Sequence, residues 1–279
     1  MERAPFPTAC ILCDTHRYLE ARQKLARFFD HVFIYHRNYL RHFQEHTAGH
    51  VHWNPYYVDI AFFHPNGSDR DIDVAFVGQL HQFPERVNLI RRLSERYKMN
   101  EPRFYSQKEI PGVYSRAKIV LNLPLADDLN FRTFEAMSCG AMLLTRRVNN
   151  GQEVFFEEGK HYAAFGDEQE LFEKVAYYIS HPEERGAIAG AGLAEVQLNH
   201  RLEQRLEVLF SKVQESLGRC APIRGMSPSR VDRQYAWLYE YLRMAEPGLR
   251  LAKDARQAGR SWVPLLVPPL RSMLRVLFR

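Results

Sequence analysis

Two charged side chains three residues apart, Arg132 and Glu135, stand inside "NFRTFEAMSCGAMLLT", residues 130–145. The residues around them are apolar at helical spacing, and the stretch ends in a short apolar run behind Gly140. It reads as a helix followed by a buried strand. An arginine in the first turn of a helix is poorly placed for the helix dipole. Its position makes sense if the planar fork grips an anion, bidentate on a phosphate. A carboxylate one turn further on can accept hydrogen bonds from a vicinal diol such as a ribose. Arginine and glutamate at this spacing therefore suit a nucleoside diphosphate. They suit an ion pair capping a helix equally well, and the residues alone leave both readings open.

The stretch before them, "LPLADDLNFRTFE", is a strand-to-helix turn. Ligands of an open parallel sheet sit at the carboxyl ends of its strands, beside helix N-termini whose unpaired N–H groups favour phosphate. The elements that would build such a sheet can be followed along the chain. "TACILCD" and "HVFIYH" read as strands, and "RYLEARQKLARFFD" as an amphipathic helix with Leu19, Leu25, Phe28 and Phe29 inward. "NYLRHFQEH" reads as a short helix, and "HVHWNPYYVDIAFFHP" as an irregular linker. From Asp71 a new unit begins. Its expected strands are "DIDVAFVGQL", "PRFYS", "KIVLNLP", "AMLLT" and "HYAAF", and its helices are "RVNLIRRLSERYK", "GVYSRA", "NFRTFEAMS" and "DEQELFEKVAYYISH". One or two further helices follow from Pro182. Strands alternating with helices mean a parallel sheet with helices on its faces.

Composition excludes several classes. The chain has 279 residues, 46% hydrophobic and 25% charged, an ordinary globular balance. No apolar run reaches 18 residues, and "MERAPFPTACILCD" lacks a signal-peptide layout, so a cytoplasmic location is expected. Cys10 and Cys13 form a lone C-x-x-C inside an expected strand and read as reduced core thiols. The net charge of +5 belongs to the tail: from Ala221 onward 11 Lys/Arg face 4 Asp/Glu, and the preceding residues carry 27 against 29. The body thus has no nucleic-acid signature.

Residues 71–215 resemble the donor-binding half of GT-B glycosyltransferases, and most of all the CgeB-like (spore maturation protein) glycosyltransferase family. The resemblance is carried, in order, by "DVAFVGQL", "YSRAKIVLNLP", "DLNFRTFEAMSCGAMLLT", "FFEEGKHYAAFGDEQELFEKVAYYISHPEERGAIAGAG" and "NHRLEQR". It implies a nucleotide-sugar donor on a Rossmann-like domain, with no metal and no further cofactor. It implies Arg132 on the diphosphate and Glu135 on the ribose, with Asn130 and Thr133 in the same turn. Gly78 lets the donor approach, Gly140 forms the "CG" turn, and Tyr105 and Ser106 lie where the nucleobase rests. His200 and Arg205 match a closing element read as structural. Retaining relatives of glycosyltransferase family 4 carry two glutamates eight apart. Here the first is replaced by Asp127, with Asp128 beside it. "CDTHRYLEARQKLARFFDHVFIYH" resembles the end of an acceptor domain, with Asp14 and His16 after the strand; His16 is the candidate base or acceptor-orienting group.

The reading is an α/β, GT-B-like protein: a partial acceptor-side unit over 1–65, a donor domain over 70–220 and a basic helical extension over 221–279. The expected activity is metal-independent, retaining hexosyl transfer from a nucleoside-diphosphate sugar to a glycan, lipid-linked glycan or protein. The rival reading is a non-catalytic nucleotide-binding subunit that partners another glycosyltransferase, and a partner subunit or oligomer fits both. In "SWVPLLVPPLRSMLRVLFR", Leu270, Met273, Leu274, Leu277 and Phe278 share a face, and Arg271, Arg275 and Arg279 recur every four residues. That helix suits either peripheral contact with the inner membrane face or packing on the N-terminal unit.

Overall fold

The computed structural model describes residues 6–217, 227–241, 244–267 and 269. Their contacts divide into two compact units, one within Met1–Asn54 and Leu209–Arg279 and one within Pro55–Val208. The tail residues Leu270 to Arg279 and Cys220 lie outside the described residues.

In the first unit, β1 (Ala9–Leu12), β2 (His31–Ile34) and β3 (His50–Trp53) form a parallel sheet in that order. Helices α1 (Leu19–Ala26) and α2 (Leu40–Gln44) make the two crossovers. Every residue of β2 is buried, as a central parallel strand requires. Leu12, Ala26, Val32, Ile34 and Phe43 form the core, with Leu19 and Leu25 half-buried against it. Phe28 is fully buried and packs on Tyr235 of the helix Pro228–Tyr241, ring centroids 4.5 Å apart.

The expected linker at residues 50–65 begins instead with β3. Its histidines and the following Pro55 look like loop chemistry, yet His50 and Val51 pair in register with His31 and Val32. His50 and His52 share one face at strand spacing. Their rings stack on His31, centroids 5.3 Å away in both cases, and His31 Nδ1 lies 3.0 Å from His52 Nε2. Burial, then the neighbouring imidazoles, lower His52 to about 4. A histidine depressed in the folded state stabilises above its ordinary value near 6.5 and loses that contribution as pH falls toward 4. After solvent screening this is roughly 1 kcal/mol at pH 5. Thermal melts at pH 7 and pH 5 should therefore show a smaller acid loss in His52→Gln than in the parent, and parallel losses would remove the stack from the acid response.

The second unit holds β4 (Ile72–Ala75), β5 (Ala117–Asn122), β6 (Met142–Arg146) and β7 (Ala163–Phe165), all parallel in that order. Its helices are α3 (Pro84–Ser94), α4 (Ile110–Arg116), α5 (Phe131–Ser138), α6 (Gln152–Phe155), α7 (Glu168–Ser180), α8 (Pro182–Asn199) and α9 (Leu202–Gln214), which runs on past Val208. Leu89, Ile90 and Leu93 of α3 join Leu171 and Val175 of α7 over Val74, Ile119, Leu121, Met142 and Leu144. The expected strand "PRFYS" does not form. Met99 bridges Val74, and then the Asn100 side chain makes both ladder-like bonds to Phe76, at 2.8 and 3.0 Å. Pro102 follows without an N–H, and Phe104 is exposed. Among the described residues no helix is long and apolar enough to cross a membrane.

Candidate active site

Strand order places the site. β4 pairs with β5 on one side and with Met99 on the other, so the chain reverses direction across the sheet between β4 and β5. Such a switch point opens a crevice outside the strand carboxyl ends, where open α/β sheets bind ligands. Gly78 follows β4 there, and the turn after β5 leads into α5.

Helix α5 starts after Asn130, which is extended (φ −90°, ψ 172°) and makes no side-chain cap. Thr133, Phe134, Ala136, Met137 and Ser138 are buried. Phe131, Arg132 and Glu135 are the helix positions left partly open, which explains why a buried helix carries these two charges. The end of α5 is built by Gly140, left-handed at φ 70°. Gly140 N–H donates to Met137 O at 2.8 Å and Ala141 N–H to Ala136 O at 3.2 Å, a Schellman stop. A Cβ on Gly140 would lie 2.8 Å from Arg70 Nη2.

Arg132 is held by neutral partners. Its Nη1 donates to Asn122 Oδ1 at 2.9 Å and its Nε to the Tyr114 hydroxyl at 3.3 Å. The guanidinium also sits over the Phe76 ring, 5.4 Å from the centroid. Asn122 Oδ1 accepts from Asn130 Nδ2 at 3.1 Å as well, while its own Nδ2 donates to Asn130 Oδ1 at 3.2 Å and Thr133 Oγ1 at 3.3 Å. Asn130 and Thr133 thus serve this network. A Cβ on Gly78 would stand 3.0 Å from Arg132 Nη2, so the missing side chain leaves the guanidinium its place. Among the described residues no carboxylate lies within 4.0 Å of Arg132. A fixed cation with no carboxylate in contact, at a switch point and a helix N-terminus, can take a phosphate.

Glu135 faces a cavity of about 620 Å³ that Tyr57, Phe62, Ser106, Lys108 and Phe131 also line. Burial pushes its carboxyl up to about 7, opposed by the nearby Arg132 charge. Two expected nucleobase contacts are used elsewhere. The Ser106 hydroxyl donates to Glu109 Oε2 at 2.7 Å, although Ser106 still lines the cavity. Tyr105 is buried under Arg103, 4.0 Å from the ring centroid, and its hydroxyl donates to Glu101 O at 2.9 Å.

The remaining candidates fall apart from this group. Asp127, at φ 58°, accepts from Asn149 N–H at 2.7 Å and so ties together the loops after β5 and β6. His200 is buried, and Arg205 Nη2 lies 2.7 Å from its Nδ1. Burial first, then the Arg205 charge, lower His200 to about 4, which suits a packed joint between α8 and α9. His16 belongs to the first unit, after β1, with its ring edge-on to His36 at 5.4 Å. Sequence reasoning missed Asn122 and Tyr114, which hold Arg132. Only Asn122 left a signal, as the polar end of the buried run Ile119 to Leu121.

A family model described as glycosyl transferase-like matches residues 61–211, more than half of the chain. The chain belongs to this glycosyl transferase-like family. No curated protein sequence matches it. Among solved structures, Anabaena HepE in complex with UDP and glucose is similar at TM-score 0.60 and 16% identity, over 75% of this chain and 71% of that one. Sucrose-phosphate synthase from Thermosynechococcus elongatus is similar at TM-score 0.54 and 13% identity, over 72% and 63%. A glycosyltransferase from Rickettsia africae is similar at TM-score 0.52 and 12% identity, over 72% and 65%. These likenesses establish an α/β, GT-B-like fold. The chain spans less than two thirds of the sucrose-phosphate synthase and of the Rickettsia enzyme. The family match covers Gly78, Arg132, Glu135 and Gly140, and leaves His16 outside.

Proposed function

We propose that this family member transfers a hexosyl group from a nucleoside-diphosphate sugar to a glycan, lipid-linked glycan or protein acceptor, as a member of the CgeB-like branch. The carrying observation is Arg132, a guanidinium without a carboxylate partner, fixed by Asn122 and Tyr114 at the switch point. Charge builds on the diphosphate as the glycosidic bond breaks, and a preorganised cation there lowers the barrier. Glu135, facing its cavity one turn along α5, accepts from the ribose diol. The positive charge comes from arginine, so transfer runs without a metal or further cofactor. Retention follows from the resemblance to retaining enzymes, with Asp127 shaping the loops rather than meeting the sugar ring. His16 orients or deprotonates the acceptor, and the enzyme works in the cytoplasm.

HepE was solved with UDP and glucose, which makes uridine diphosphate the first probe here. A thermal-shift series of nucleosides, their monophosphates and diphosphates should show stabilisation that grows with the diphosphate. A ligand at 100 times its Kd adds about 2.7 kcal/mol. Equal shifts from nucleoside and diphosphate would sink the assignment of Arg132.

A further inference from the structure

Arg132 is not the only cation at these strand ends. Its Nη2 lies 3.0 Å from the Cβ position of Gly78, and Arg86 Nη1 donates to the carbonyl oxygen of the next residue, Gln79, at 3.4 Å. Both guanidinium groups thus flank one turn. Arg146 ends β6 and, with Arg86, lines a separate cavity of about 610 Å³ walled by Phe83, Leu123, Pro124 and Glu168. Burial, then the Arg132 and Arg146 charges, bring Arg86 down to about 10.

Several arginines of this unit meet their counter-charge locally: Arg91 pairs with Glu95, Arg92 with Glu168 and Arg147 with Glu170. Others, Arg70 and Arg185, donate to backbone carbonyl oxygens away from this cavity. Among the described residues, neither Arg86 nor Arg146 has a carboxylate within 4.0 Å. Glu168, on the cavity wall, is already taken by Arg92, and Glu85 is exposed. Arg86 donates to the carbonyl oxygens of Gln79 and Leu123, which fixes its plane. Arg146 is exposed and makes no side-chain hydrogen bond among the described residues. Like charges lining one cavity raise the local potential and favour anions. A diphosphate on Arg132 leaves the charge of the other two unanswered.

We propose that Arg86 and Arg146 form a second anion subsite, beside the diphosphate position, for a carboxylate or phosphate carried by the transferred sugar or by the acceptor. The proposal rests on the reading of Arg132 as the diphosphate residue.

Calorimetry in low salt tests it with UDP, UDP-glucose, UDP-glucuronate and glycerol 3-phosphate. The proteins are the parent, Arg146→Gln and Arg146→Lys. If the acid is on the sugar, the parent prefers UDP-glucuronate over UDP-glucose by about tenfold, or 1.4 kcal/mol. Arg146→Gln erases that preference, Arg146→Lys keeps part of it, and UDP binds all three alike. If the acid is on the acceptor, the two donors bind alike, and the UDP-loaded parent binds glycerol 3-phosphate while Arg146→Gln does not. Donors that bind alike together with no glycerol 3-phosphate binding, or preferences unchanged in Arg146→Gln, overturn the subsite. Failure of UDP to bind the parent counts against the diphosphate reading. The subsite is then judged on glycerol 3-phosphate alone, supported if Arg146→Gln abolishes its binding and overturned otherwise.

Discussion

Arg132→Ala should weaken nucleoside-diphosphate binding by about 1.5–3 kcal/mol, the scale of a charge-assisted hydrogen bond. That is roughly a 10- to 150-fold rise in Kd by calorimetry. The fold should survive, because Asn122 Oδ1 keeps its bond from Asn130 Nδ2 at 3.1 Å. The buried Tyr114 hydroxyl loses the 3.3 Å bond from Arg132, a cost of about 1 kcal/mol. Binding of the nucleoside alone should hardly change. Arg132→Lys should recover little, since an ammonium cannot reproduce the fork held between Asn122 and Tyr114. Unchanged diphosphate affinity in a folded Arg132→Ala protein would remove this residue from the site.

Glu135→Gln should move stability and binding in opposite directions. The Glu135 carboxyl is raised by burial to about 7 in the folded chain, against an ordinary 4.5. A group raised on folding contributes stability that is complete below its unfolded value and is lost as pH rises through the folded one. Between pH 4 and pH 8 the parent should therefore lose about 3 kcal/mol relative to Glu135→Gln. Denaturant melts at the two pH values read this directly. Affinity should fall in the variant, and more for ribonucleotides than for their 2′-deoxy forms, because the amide accepts more weakly from the diol. Ribonucleotide affinity of the parent should rise up to about pH 7 and then level off. Equal pH slopes for parent and variant would deny the buried carboxylate. Equal losses for ribo and deoxy forms would reduce Glu135 to a helix-start residue.

Arg132 and Glu135 were legible because they interrupt an apolar helix, and charge in a buried pattern has to be answered by something. Asn122 carries the same kind of signal at the end of a buried strand. Arg86 and Arg146 carry none. They are 60 positions apart in the chain, and only the parallel crossovers bring the start of α3 and the end of β6 to one cavity. β3 was hidden because its histidines and Pro55 resemble loop chemistry, and only pairing with β2 reveals it as a strand. Gly140 was legible as the helix-ending glycine from the apolar run behind it, and it stops α5 beside Arg70. Tyr105 was expected on the nucleobase. A hydrogen bond to Glu101 O and the Arg103 guanidinium over its ring, both invisible to periodicity, turn it inward.

On the proposed reading, Arg132 stabilises a departing nucleoside diphosphate without a metal. Slow hydrolysis of a nucleotide sugar by water tests it without knowledge of the acceptor. With UDP-glucose and other common donors, in EDTA, the parent should release nucleoside diphosphate at a rate well above the uncatalysed background. Arg132→Ala should lose about 10²–10³ of that rate, the scale for removing one preorganised electrostatic contact. Release that requires added Mg²⁺ or Mn²⁺, or that is the same in parent and Arg132→Ala, would contradict the account.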